Sequence, residues 1–73
     1  YGLQRAFLVA GAEAMIMSLW KVDDAATQQL MKSFYTNWIK LRNKQKAFKQ
    51  AQLQLMNKYK DPYYWGAFVI MGH

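Results

Sequence analysis

The sequence predicts an α/β fold with its elements in the order α-β-α-α-β, and three observations lead to it. Residues 14–20 and 65–71 are two short, almost unbroken apolar runs. Such runs fit strands covered on both faces, as in a parallel sheet. Two longer segments between them, near residues 24–41 and 44–59, repeat apolar residues every three or four positions, the spacing of amphipathic helices. Asp, Gly and Pro fall at the joins, where chain direction has to change.

At the start of the chain, Leu3, Ala6, Phe7 and Ala10 recur at helical spacing, and Gly11 suits a left-handed helix end. The spacing predicts a helix over residues 2–10. Residues 14–20 follow as a strand, with Ser18 as their only polar member. Asp24 is then placed to cap a helix, because a carboxylate there accepts free first-turn N–H groups and suits the positive helix end. Ala26, Leu30, Phe34, Trp38 and Leu41 form the apolar stripe of that helix, with Gln28, Lys32, Thr36 and Lys40 opposite. A break is expected at Arg42-Asn43. Ala47, Phe48, Ala51, Leu55 and Tyr59 mark a second amphipathic helix. Asp61-Pro62 ends it, since a residue before proline avoids helical angles. The second apolar run then gives the last strand, with Gly66 marking close packing.

Seventy-three residues make one small domain at most. Such a chain buries only roughly 60% of its unfolded surface, so stability usually needs disulfides, metals or partners. There is no cysteine and only one histidine, His73, so disulfides, thiolate ligands and a histidine-based metal site are excluded and partners remain. No cofactor is expected. No stretch approaches the ~20 apolar residues of a membrane span. The opening residues, Tyr1 to Arg5, resemble neither a signal peptide nor a translation start, so the expectation is a cytoplasmic piece of something longer. The two strands sharpen this. Each is apolar on both sides, and two strands with three helices hardly supply both covering layers and both edges. The chain is expected either to be cut from a larger α/β domain or to assemble with copies of itself.

At this point a resemblance enters. "GLQRAFLVAGA", "SLWKVDDAAT", "LMKSFYTNW", "AFKQAQLQLM" and "PYYWGAFVIMG" follow in order from Gly2 to Gly72. Together they resemble the C-terminal part of CHAT domains, caspase-like cysteine peptidase domains often joined to tetratricopeptide repeats in bacteria and related to separases and gingipains. The resemblance implies an incomplete caspase-like three-layer αβα fragment holding the last two strands of a mostly parallel sheet. It places the catalytic histidine and cysteine upstream, so no catalytic residue is carried here. Two departures stand out: Leu41 where relatives often have glycine, and Gly66 where they often have another small residue.

The resemblance also implies that the loop after residues 14–20 lines the substrate cleft. Open parallel sheets bind ligands at the carboxyl ends of their strands. The candidate substrate-binding residues are Ser18, Trp20, Asp23 and Asp24. A carboxylate there would pair with an arginine or lysine of a protein or peptide substrate, and Trp20 would wall the cleft. Each has a plainer reading: Asp24 as helix cap, Asp23 as a solvated acid or an aid to that cap, Trp20 as packing. Ser18 lacks nucleophile-elbow glycines and a neighbouring histidine. Tyr63, Tyr64 and Trp65 form an aromatic cluster that could bind a ligand, but it reads first as the approach to a buried strand.

The net charge of +6 raises a nucleic-acid reading. Lys40, Arg42, Lys44, Lys46, Lys49, Lys58 and Lys60 lie in one acid-free stretch. They scatter around the helix without interleaved aromatics, so a solvated face is expected. The sequence therefore predicts a non-catalytic C-terminal segment of a CHAT-type cysteine endopeptidase. The alternative is a self-associating or basic nucleic-acid-binding module. Its partners would be the rest of its own domain, or further copies.

Overall fold

The computed structural model describes residues 5–9, 11 and 13–72. Three strands, β1 (Arg5–Val9), β2 (Ala14–Ser18) and β3 (Phe68–Gly72), form one sheet in the order β1-β2-β3. Between β2 and β3 run α1 (Asp24–Leu41), α2 (Lys44–Lys58) and the single turn α3 (Pro62–Trp65). The class is α/β, with the order β-β-α-α-α-β.

Two expectations are corrected. The helix expected over residues 2–10 is a strand where it is described. Phe7 pairs with Ile16 and Val9 with Ala14, so β1 alternates its side chains across a sheet. Residues 6 and 7 together with 9 satisfy a helical and a two-residue period alike, and tertiary pairing decides between them. Leu3, Ala10 and most of that helix's first turn lie outside the described residues. Gly11 keeps the positive φ expected of it, at 86°, but in a hairpin turn with Glu13 at 53°. The second correction concerns direction. Both ladders are antiparallel, with Met17 opposite Val69 and Ile16 opposite Ile70. A turn as short as the one between β1 and β2 joins only antiparallel neighbours.

The helices form where their stripes and caps allow. Ala26, Leu30 and Phe34 of α1 and Ala47, Ala51 and Leu55 of α2 are fully or almost fully buried. They join Val9, Ala14, Ile16 and Phe68 from one face of the sheet in a single core. Burying the larger of these, Val9, Ile16, Leu30, Phe34, Leu55 and Phe68, contributes roughly 1.5–3 kcal/mol each. Arg42 turns left-handed at φ 54°, and Asn43 Oδ1 then accepts the Lys46 N–H at 3.0 Å, so the expected break is a C-cap followed at once by an N-cap. Asn37 ties the helices together across this break, its Nδ2 donating to the Ala47 carbonyl at 3.3 Å.

Pro62 also starts an element that the sequence reading missed. Asp61 Oδ1 accepts the Tyr63 N–H at 3.0 Å, and proline at the first helical position needs no N–H partner.

The other face of the sheet is open. It presents two rows, Ala6–Met17–Val69 and Leu8–Met15–Met71. Met17 is buried, but Leu8 is 75% and Met71 59% exposed. The molecule is 15 Å across its shortest dimension, the depth of two layers.

Candidate functional site

The turn from β2 into α1 gathers the residues singled out in the sequence, and three contacts fix it to the segment before β3. The Leu19 N–H donates to the Ala67 carbonyl at 2.8 Å, extending the β2–β3 ladder by one step. Trp20 Nε1 donates to the Tyr63 carbonyl at 3.0 Å. Tyr63 returns the bond, its hydroxyl donating to the Lys21 carbonyl. The two rings lie 6.2 Å apart. Tyr63 meets Tyr64 edge-on at 5.3 Å, and Tyr64 stacks on Tyr59 at 4.6 Å. An aromatic chain thus runs from the corner to the end of α2. Trp20 fits neither sequence reading fully: its indole is bonded and packed on one side and 37% exposed.

The acids exchange the roles expected of them. Asp23, not Asp24, is the N-cap: its Oδ1 accepts the Ala26 N–H at 2.9 Å, and its carbonyl accepts Thr27 Oγ1 at 3.1 Å. Asp24 is the first residue of α1 and forms an ion pair with Arg5 at 2.7 Å. The reason is geometric. A cap needs extended backbone, which Asp23 has at φ −62° and ψ 152°. Ser18 is buried at the end of β2, beside Arg5 and Phe68 in register, and does not open onto the corner. A shallow hollow of about 390 Å³ lies next to the ion pair, lined by Arg5, Phe7, Asp24, Thr27, Gln28 and Met31.

Sequence reasoning missed Arg5, and it singled out Tyr63 without linking it to the corner. Nothing local links Arg5 to Asp24, because only strand pairing brings them together. Tyr63 carried a signal in the Asp-Pro pair before it, which marks a helix start as well as a stop. Among the described residues no three acidic, histidine or cysteine side chains assemble as metal ligands. No described helix is long and apolar enough to cross a membrane. His73 lies outside the described residues.

Comparison with known proteins identifies the arrangement. The sequence model of the CHAT domain matches residues 1–73. The chain belongs to the CHAT family. It is 32% identical over 72 residues to human tetratricopeptide repeat protein 28, and 29% identical over 72 residues to the mouse protein of the same name. Each alignment takes in 96% of this chain and 3% of the relative, so the chain spans about 3% of the length of the curated relatives it matches. No solved structure matches it significantly. The resemblance suggested a bacterial setting; these two relatives are mammalian, and their printed name carries the tetratricopeptide repeats. In this CHAT chain the corner is held by its own aromatic clasp, and one face of the sheet exposes Leu8, Met15 and Met71.

Proposed function

We propose that this chain is the C-terminal segment of a CHAT domain, inactive alone, which completes the domain's sheet and presents the β2–α1 corner to a peptide. The observation that carries this reading is the open face formed by Leu8, Met15 and Met71. Contiguous exposed apolar surface marks an interaction site, and a sheet face of this kind fits a missing protein layer. The lack of cysteine places any thiolate nucleophile outside the chain. The partners are therefore the remainder of the same domain and a protein or peptide substrate. At the corner, Asp24 is an exposed acid outside the cap and Trp20 the adjoining wall, while Asp23 holds the start of α1. An exposed ion pair such as Arg5–Asp24 is worth at most ~1 kcal/mol, so a substrate guanidinium exchanges with Arg5 at small cost.

The test uses the longer polypeptide that carries these residues, beside the 73-residue chain, with fluorogenic peptides bearing arginine, lysine or a neutral residue at the cleaved bond. The expected result is no turnover by the chain alone. The longer protein should cleave, and Asp24→Asn should lower its kcat/KM for basic peptides roughly tenfold, the scale of one charge-assisted hydrogen bond. Turnover by the chain alone ends the proposal. Absence of turnover in the longer protein assigns the segment to a scaffold instead.

A further inference from the structure

A second surface lies far from the corner. Helix α1 has 18 residues, which at the helical rise is about 27 Å. The corner sits at its start and Leu41 at its end. There Leu41 and Leu53, 45% and 40% exposed, floor a groove of about 530 Å³ along the first half of α2, completed by Gln45, Lys46, Lys49 and Gln50. Two leucines in one groove differ from singly scattered apolar residues, which need no explanation.

The charge around this groove is one-sided. Among the described residues, Lys46 and Lys49 are the only charged ones lining it, and the acid of the neighbouring hollow, Glu13, lies on the Arg42–Lys44 side. Lys46 and Lys49 have no ion pair among the described residues, and both are exposed. Apolar floor and cationic rim together define what fits. A second copy docking the same groove would set Lys46 and Lys49 against their own like charges. A nucleic acid would satisfy the lysines, but it offers phosphates rather than apolar side chains to the leucines, and the groove has no aromatic platform on which a base could stack. An amphipathic segment with leucine-like side chains on one face and carboxylates flanking them satisfies both features. Helix-in-groove recognition is read through anchors of this spacing.

The geometry points to the Leu41–Leu53 groove as a docking site for an acidic amphipathic helix of a protein partner. This assignment is independent of the cleft reading, because it uses neither the corner nor the open sheet face. Lys46 and Lys49 steer and orient the helix, and Leu41 and Leu53 receive its apolar anchors.

Fluorescence anisotropy on the longer polypeptide tests this, with three labelled probes. One is a 16-residue peptide with leucines at helical spacing flanked by glutamates. The second scrambles its sequence, and the third replaces glutamate by lysine. Saturable binding of the first alone is expected. Leu53→Ser should weaken it roughly tenfold, as loss of an interface anchor does. Lys46→Glu with Lys49→Glu should abolish it and transfer binding to the lysine peptide. All three positions are exposed, and an unchanged circular dichroism melt verifies folding. The charge reversal remains decisive even if Leu53→Ser disturbs α2. No saturable binding, equal binding of the scrambled peptide, or displacement by a single-stranded oligonucleotide with no effect of Leu53→Ser each overturns the assignment. The last outcome would make this a phosphate-binding face.

Discussion

Asp23 and Asp24 are chemically identical neighbours doing unequal work. Asp23 satisfies an N–H that α1 would otherwise leave unbonded, whereas Asp24 pairs with Arg5 in solvent. Loss of a cap costs about 0.5–2 kcal/mol, and loss of an exposed pair about 0–1 kcal/mol. Urea unfolding should therefore find Asp23→Ala clearly more destabilising than Asp24→Ala. The reverse order would return the cap to Asp24. Under the proposed cleft reading, activity on basic peptides should separate the two in the opposite sense, since Asp23 is committed to the cap. Two adjacent acids before an amphipathic helix announce a capped start, yet which of them caps depends on where the backbone leaves the extended region, a choice made by how β2 ends.

At the scale of elements, the corner belongs to a clasp between two segments more than 40 residues apart. Trp20 and Tyr63 each donate to the other's stretch of backbone. Tyr63→Phe keeps the ring contact and removes one hydrogen bond, so a loss of about 0.5–1.5 kcal/mol is expected in thermal or urea unfolding. The loop should also become more mobile, seen as faster amide exchange at Val22 and Asp23, with the rest of α1 unchanged. Unaltered exchange there would show that the rings alone hold the corner. The helices α1 and α2 were legible because their stripes are long and their caps are marked. Strand β1 was not: five residues with apolar side chains at mixed spacing suit either structure, and pairing with β2 settles the matter. The turn α3 was hidden because Asp61-Pro62 was read only as a stop.

For the whole molecule, the dominant fact is a sheet with one finished side. Val9, Ala14, Ile16 and Phe68 are sealed under the helices, while Leu8 and Met71 stand open. Sedimentation of the 73-residue chain at increasing concentration should show association through this face. Leu8→Lys with Met71→Lys should restore a monomer with little loss of stability, because substitutions at exposed sites usually change stability by less than about 0.5 kcal/mol. Under the proposal that the rest of a CHAT domain covers this face, the same double substitution in a polypeptide carrying that part should be strongly destabilising, since it would bury charge against an apolar layer. Indifference there would mean that nothing covers the sheet.

The sequence by itself determined the class, the two long helices with their break at Arg42-Asn43, the two apolar strands, and the family. These are set by period, caps and composition, which are local or additive along the chain. Tertiary structure alone decided the antiparallel hairpin, the Arg5–Asp24 pair, the Trp20–Tyr63 clasp and the burial of Ser18. Each of these depends on which distant residues share a register or a face, and no local spacing carries that information.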